Sequence, residues 1–248
     1  MPNEAPMISV IIPAYNEEKF IKACLNSLLM QNLPKDEYEI VVVDNASTDK
    51  TSKIVRNFPV KLAHEKRHSV VFARQKAVEL SKGELIVSGD ADTLYPPNWL
   101  SEIRNEFNND KNTIALVGFI YFQNSPLLFD LSFALGQTIN FYLYKIFGRF
   151  PLVFAANFAF KKSALEKIGG YPKHLPELGD QQYLLYKFIK LGKVKVCPSI
   201  KCFTSSRRHR SVRQNIKLNV WYRLFGFALN SITGKQIIGP APAYRKGN

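Results

Sequence analysis

Ile8-Ser9-Val10-Ile11-Ile12 and Glu39-Ile40-Val41-Val42-Val43 are β-branched runs with little polar interruption. That is the pattern of strands buried on both faces of a sheet. Pro13 ends the first run and Asp44 the second. Between them Ile21, Leu25 and Leu28 recur at helical spacing after Asn16-Glu17-Glu18, and Asn32-Leu33-Pro34 stops the helix. A second helix is expected with Ser47 or Thr48 as N-cap and Ile54, Val55 and Phe58 turned inward, followed by a short strand from Val60 to Ala63. Phe72 to Leu80 predicts the next helix, closed by Lys82-Gly83, and Leu85-Ile86-Val87-Ser88-Gly89 a strand that runs out at Asp90. This alternation predicts an α/β fold with a mostly parallel, Rossmann-like sheet and helices on both faces. Such sheets bind ligands beyond the carboxyl ends of their strands, so Pro13, Asp44 and Asp90 should converge on one crevice.

The apolar segments further on have another character. Pro126 to Phe150 is rich in aromatics but broken by Asp130, Gln137, Asn140 and Lys145, too often for the roughly 20 uninterrupted apolar residues that span a bilayer. It reads as an amphipathic helix with Asp130, Gln137, Thr138 and Lys145 near one side. Residues 215–233 repeat the theme, with Asn219, Arg223, Gly226 and Asn230 on one stripe and Leu218, Trp221, Tyr222, Phe225, Leu229 and Ile232 opposite. With Arg207, Arg208, Arg210, Arg213 and Lys217 beside them, both helices suit a protein lying on an anionic membrane surface. The expected organisation is a catalytic domain over residues 1–205 and a basic, amphipathic C-terminal helical appendage over 206–248.

Composition narrows the class. In 248 residues, 46% hydrophobic content supplies a substantial core, and 34 Lys+Arg against 20 Asp+Glu give a formal +14, which calls for a polyanionic partner. Cys24, Cys197 and Cys202 lack the spaced histidines of a zinc site and read as reduced thiols. The start, Met1-Pro2-Asn3-Glu4-Ala5-Pro6, lacks a basic head and long apolar stretch, so a cytoplasmic location, peripheral on the membrane, is expected.

Asp90-Ala91-Asp92 carries the candidate chemistry. On a strand, residues i and i+2 point the same way, so two hard carboxylate donors could share one Mg2+ or Mn2+, and such a cation grips a diphosphate. Ser9-Val10-Ile11-Ile12-Pro13-Ala14-Tyr15-Asn16-Glu17-Glu18, then Val41 to Thr51, then Gly89-Asp90-Ala91-Asp92 resemble in order the signatures of family 2 glycosyltransferases of the GT-A fold. Ala73-Arg74, Lys82-Gly83, Asn157 to Ser163 with Ile168-Gly169-Gly170-Tyr171, and Asp180 fall where that family has further motifs, so the resemblance covers about residues 8–205.

It implies a nucleotide-sugar donor. Asp92 would ligate the metal, with Asp90 sharing the metal or the ribose, and His209 is a further candidate ligand. Pro13, Tyr15, Glu17, Asp44 and Arg74 would line the donor pocket, and Arg207 or Arg208 would close on the diphosphate, since a guanidinium pairs phosphate oxygens bidentately. Tyr15 equally suits a role covering the sheet edge, and Asp44 a cap on the following turn. Asp180 is the candidate base for inverting transfer, or the N-cap of a helix over Gln181 to Leu191. The family's usual Glu-Asp is here Glu177-Leu178-Gly179-Asp180, which leaves the second carboxylate displaced or absent.

The expected activity is metal-dependent transfer of one hexose to a lipid-linked or glycolipid acceptor. The Asp-Ala-Asp form resembles the polyprenol-phosphate mannosyltransferase branch and favours GDP-mannose; the alternative is a UDP-glucose or UDP-N-acetylglucosamine transferase acting on a saccharide or a protein-linked glycan. A nucleotidyltransferase would need a Gly-rich, Arg-containing loop where Pro13-Ala14-Tyr15-Asn16-Glu17 stands. A non-catalytic nucleic-acid-binding protein is the reading of a different class; it explains the charge but not the carboxylates, and no nucleic-acid partner is expected.

Overall fold

The computed structural model describes residues 7–147, 153–173 and 180–208. In chain order the elements are β1 (Ile8–Ala14), α1 (Ile21–Leu29), β2 (Tyr38–Asp44), α2 (Thr51–Val55), β3 (Lys61–His64), α3 (Val70–Leu80), β4 (Leu85–Ser88), β5 (Thr93–Leu94), α4 (Trp99–Asn109), β6 (Thr113–Gln123), α5 (Leu127–Phe147), β7 (Phe158–Lys161), α6 (Lys162–Lys167), α7 (Asp180–Leu191) and β8 (Lys193–Ser205). The strands form one sheet in the order β3-β2-β1-β4-β7-β6-β8-β5. β3, β2, β1 and β4 run parallel. β7 is antiparallel to both β4 and β6, while β6 and β8 run parallel to each other.

Each central strand feeds two cores. Val10 and Ile12 of β1, Ile40 and Val42 of β2 and Val87 of β4 pack with α1 and α4, including Leu25, Trp99 and Ile103. Ile11, Val41, Val43 and Ile86 point the other way, towards α3, α6 and α7, including Val71, Leu165 and Phe188. The uninterrupted apolar runs are the sequence consequence of burial on both faces. Pro13 fits within β1 because β4 pairs only as far as Ile11, so the missing N–H of Pro13 removes no bond on that side.

Two loops lock together at the carboxyl edge of the sheet. The backbone N–H of Asn16 donates to Ser47 Oγ (3.0 Å), Thr48 N–H returns to Asn16 Oδ1 (2.8 Å), and Glu17 N–H reaches Thr51 Oγ1 (2.7 Å). Asn16 and Ala46 both take left-handed backbone, with φ of 52° and 59°; for Ala46 the strain is of order 1–3 kcal/mol, offset by these surrounding bonds. The expected N-cap at Ser47 or Thr48 is corrected. The helix starts at Thr51, whose N–H and hydroxyl both donate to Asp49 Oδ1, while Ser47 and Thr48 serve the β1 loop instead.

On the other side, buried Asn157 binds three elements. Its Oδ1 accepts from Trp99 Nε1 (2.9 Å) and its Nδ2 donates to Phe119 O (2.8 Å) and Ile200 O (3.0 Å). The expected polar side of α5 also needs correcting. Gln137 is turned inward, its Oε1 accepting from Ile120 N–H (3.0 Å) and its Nε2 donating to Ile120 O (2.8 Å), while Leu128, Leu131, Leu135, Ile139, Tyr142 and Ile146 stand exposed. None of the described helices is long and apolar enough to cross a membrane.

Candidate functional site

Because β1, β2 and β4 are parallel, the segments leaving them meet on one edge, as the sequence predicts for Pro13, Asp44 and Asp90. The two acidic residues are presented differently from expectation. β4 ends at Ser88, and Asp90 and Asp92 lie on the turn between β4 and β5 rather than on alternating strand positions. The turn is fixed from several sides: Asp90 N–H donates to the Tyr95 hydroxyl (2.9 Å), Thr93 N–H to Asp90 O (3.3 Å) and Ser205 N–H to Asp92 O (3.0 Å). Burial pushes the Tyr95 phenol well above its usual pKa, so it stays protonated. Gly89 leads into this turn, where a Cβ would come within 2.5 Å of the Tyr95 hydroxyl and 2.6 Å of Ile12 Cδ1.

The two carboxylates meet different cations. Arg207 donates from Nε to Asp92 Oδ2 (3.1 Å) and from Nη2 to Glu17 Oε1, with its guanidinium 4.5 Å from the centre of the Phe20 ring. The end of β8, the β4 turn and the β1 loop thereby close on one point, and Thr204 Oγ1 adds a long contact to Asp92 Oδ1 (3.5 Å). Asp90 faces Arg74 instead, Oδ1 to Nη2 at 3.4 Å.

Arg74 is buried on α3, and its Nη1 donates to Asp180 Oδ2 at 2.7 Å. Asp180 is itself buried at the first turn of α7, so the pair is desolvated. Burial opposes the Arg74 charge, but Asp180 and then Asp90 outweigh it and hold the guanidinium above its ordinary pKa. Gln181 Nε2 also donates to Asp180 Oδ2 (3.2 Å), while buried Oδ1 has no hydrogen-bond partner among the described residues. The sequence expectation sets Arg74 against the donor; the structure turns it to two carboxylates, linking the acidic turn to Asp180.

Asp44 ends β2 at the floor of the crevice. Oδ1 accepts from Ser47 N–H (3.2 Å), as the capping alternative predicts, and Oδ2 takes the Ser52 hydroxyl (2.5 Å) and lies 3.3 Å from His64 Nδ1. Tyr15 meets His68 edge to face, ring centres 4.1 Å apart. The sequence reading missed Ser52, His64 and His68; the parallel register that sets Asp44 opposite His64 makes His64 a neighbour, and no local motif announces it. Arg208 is described by its backbone alone, in a short turn over Ser206–Arg208. His209, Glu177 and the helix expected over 215–233 lie outside the described residues.

Among the described residues no group of three or more His, Cys, Asp and Glu side chains is poised to hold a metal. The donor set present is Asp90 and Asp92, two hard oxygen ligands on one turn. It fits Mg2+ or Mn2+, which take few protein carboxylates and fill the remaining positions with phosphate oxygens and water. Glu17 and Asp92 converge on Arg207, so this corner already demands a positive charge.

The sequence profile described as "Glycosyl transferase family 2" matches residues 9–169. Glycosyltransferase AglE of Haloferax volcanii is 28% identical over 186 residues, covering 73% of this chain and 60% of AglE, so the chain spans well under the full length of that relative. The mannosyltransferase PcManGT of Pyrobaculum calidifontis, solved with GDP-Man and Mn2+, superposes with a TM-score of 0.73 at 23% identity, covering 99% of this chain and 68% of its own. Staphylococcus aureus TarS 1-349, solved with UDP-GlcNAc, gives a TM-score of 0.62 at 22% identity over 80% of this chain and 58% of its own. At these identities the two structures establish a shared fold.

Proposed function

The chain belongs to glycosyl transferase family 2, and from that premise we propose that it is an inverting, metal-dependent enzyme moving one hexose from a nucleotide sugar to a lipid-linked acceptor. The observation that carries this reading is the Asp90-Ala91-Asp92 turn, fixed at the sheet edge where the β1 loop, β2 loop and Arg207 converge. Asp92 and Asp90 would hold the divalent cation, Mn2+ or Mg2+. When bound, that ion supplies positive charge against the leaving diphosphate. Tyr15, Glu17, Pro13 and Asp44 would line the nucleotide side, and Arg207, which pairs with Asp92 and Glu17 at the same corner, would supply a guanidinium to the diphosphate. Arg208 is a further candidate for the diphosphate, and His209, outside the described residues, a further candidate for the metal.

On the acceptor side, the acceptor hydroxyl oxygen bonds to the anomeric carbon as the bond from that carbon to the diphosphate oxygen breaks, the electron pair leaving with the diphosphate. Asp180 takes the hydroxyl proton at Oδ1, the oxygen left without a partner among the described residues once Arg74 and Gln181 hold Oδ2. A lipid phosphate acceptor, already anionic, would need Asp180 only for orientation. GDP-mannose is the first donor to assay, on the Asp-Ala-Asp form, with UDP-glucose and UDP-N-acetylglucosamine next. Residues 1–205 form the catalytic domain in this reading, and the basic segment 206–248 attaches it to the anionic surface that presents the acceptor.

Release of nucleoside diphosphate from each donor, with and without polyprenyl phosphate and with Mn2+ or a chelator, tests the proposal. Release from GDP-mannose alone among the donors, requiring both acceptor and metal, is the expected result. No release from any donor, together with strongly salt-dependent binding to nucleic acid, would replace it with the non-catalytic reading.

A further inference from the structure

Gly169 and Gly170 do more than end α6. Both take left-handed backbone, with φ of 84° and 86°, and their N–H groups close the helix on Glu166 O and Leu165 O (both 3.0 Å). A Cβ at Gly170 would stand 2.7 Å from Gln75 Oε1, the atom that accepts the Tyr171 N–H (2.8 Å). Glycine therefore lets the chain settle on α3 one residue from Arg74, and Tyr171 is carried inward until only 2% of it is exposed. Its ring meets Phe160 edge to face at 6.4 Å, within the apolar core. Its hydroxyl reaches the Arg74–Asp180 pair.

Buried polar atoms gather around that hydroxyl. Arg74 Nε, Ser88 Oγ, Asp180 Oδ1, Gln181 Oε1 and the Tyr171 oxygen itself all lack a hydrogen bond of full geometry among the described residues. The Gln181 amide and the Ser88 hydroxyl stand close enough to act on the phenol as partners, and the charges of Arg74 and Asp180 are felt there too. Burial pushes the Tyr171 phenol above its ordinary pKa, so it keeps its proton and can both donate and accept. Buried hydroxyls and amides in folded proteins are nearly all paired, and small rotations of two hydroxyls join Ser88, Tyr171 and Gln181 in one chain. Gln181 passes the chain on, its Nε2 donating to Asp180 Oδ2 (3.2 Å) beside Arg74 Nη1 (2.7 Å).

This chain settles a choice that the Gln181 amide cannot make alone. Turned the other way, the amide would set Oε1 against a carboxylate oxygen, two acceptors face to face. A hydroxyl that takes the second N–H of Nε2 and gives its own proton to Ser88 favours the orientation that donates to Asp180. The carboxylate is then gripped at Oδ2 from two sides, and the direction of Oδ1 is fixed. Ser88 directly precedes Gly89 and the acidic turn, so the chain runs from the end of β4 to the start of α7.

We propose that Tyr171 is a positioning residue for Asp180, its hydroxyl orienting the Gln181 amide so that Oδ1 is presented to the acceptor. The inference rests on the reading of Asp180 as the group that meets the acceptor, whether it takes a proton or orients an anionic one.

Single-turnover release of nucleoside diphosphate by the full chain tests it, with Mn2+, polyprenyl phosphate and each of GDP-mannose, UDP-glucose and UDP-N-acetylglucosamine. The variants are Tyr171→Phe, Gln181→Met, Asp180→Asn and the double variant Tyr171→Phe/Asp180→Asn, each also titrated with donor by calorimetry. Tyr171→Phe keeps the ring in the core and removes only the oxygen. The expected result is a rate about three- to tenfold lower in Tyr171→Phe at unchanged donor affinity, and a similar fall in Gln181→Met. Adding Tyr171→Phe to Asp180→Asn should cost nothing further, because the hydroxyl acts through the carboxylate. A tyrosine that only packs would weaken donor binding along with the rate, or lower the rate by the same factor in both backgrounds. Either result overturns the proposal and leaves Asp180 in its role, as does a wild-type rate in Tyr171→Phe beside a slowed Asp180→Asn. A wild-type rate in Asp180→Asn, or no release from any donor, removes the reading of Asp180 and the proposal with it.

Discussion

The half of the sheet built from β1 to β4 and the half built from β6 to β8 are finished to different degrees. In the first, every strand end is tied: Asp44, Asp49, Asn16, Ser47 and Thr51 exchange hydrogen bonds across two loops, and the acidic turn is held by Tyr95 and Ser205. In the second, α5 turns amides inward and leucines outward. In the proposed reading a donor of fixed chemistry meets a preorganised crevice, whereas the other side carries exposed apolar surface. Arg74, between Asp90 and Asp180, is the side chain that links the two.

Substitutions can separate the halves. Asp180→Asn should leave donor binding intact and slow transfer by about 10²–10⁴-fold if Asp180 is the base, read from donor titration beside turnover. Equal loss of both would show that Asp180 acts on the donor half as well. Arg74→Met should damage both together, since it leaves Asp180 buried without its cation; a loss of about 3–5 kcal/mol in urea unfolding is expected. Gly89→Ala, with Tyr95 and Ile12 in the way, should cost about 1–3 kcal/mol and weaken donor binding through the displaced turn. Ser47→Ala removes one interlocking bond and should cost only about 0.5–1.5 kcal/mol.

The last effect is confined to acid. The Arg67 guanidinium, hydrogen-bonded to Glu65, holds the Glu65 carboxyl down to about 2 from an ordinary 4.5. A depressed folded-state pKa adds stability that is complete above the unfolded value and disappears as pH falls through the folded one. Glu65→Gln should therefore flatten the stability profile between about 4.5 and 2 and leave it unchanged in slope at neutral pH.

The donor half was legible in the sequence for a physical reason. Strands such as Ile8–Ala14 and Tyr38–Asp44 are buried on both faces, so their composition is apolar throughout, and helix α1 between them declares itself by period. The acidic pair was legible by residue type and spacing, although its geometry was not: a turn, not a strand, presents it. β8 was not legible because lysines and a proline interrupt its apolar positions, and β6, apolar from Ile114 to Phe122, owes its place to long-range pairing across the sheet. The role of Arg74 was hidden for the same reason, its partner Asp180 lying far along the chain. In α5, helical period was plain but which face would be buried was not, since an inward Gln137 satisfied by the backbone of Ile120 leaves no local trace.

The central claim is that the Asp90-Ala91-Asp92 turn holds a cation that binds the donor diphosphate. Calorimetric titration of GDP-mannose into the wild type and Asp92→Ala, each with Mn2+ and with chelator, tests it directly. Binding that requires Mn2+ and falls at least about a hundredfold in Asp92→Ala is the predicted result. Binding of equal strength with and without Mn2+, or unchanged in Asp92→Ala, would contradict it.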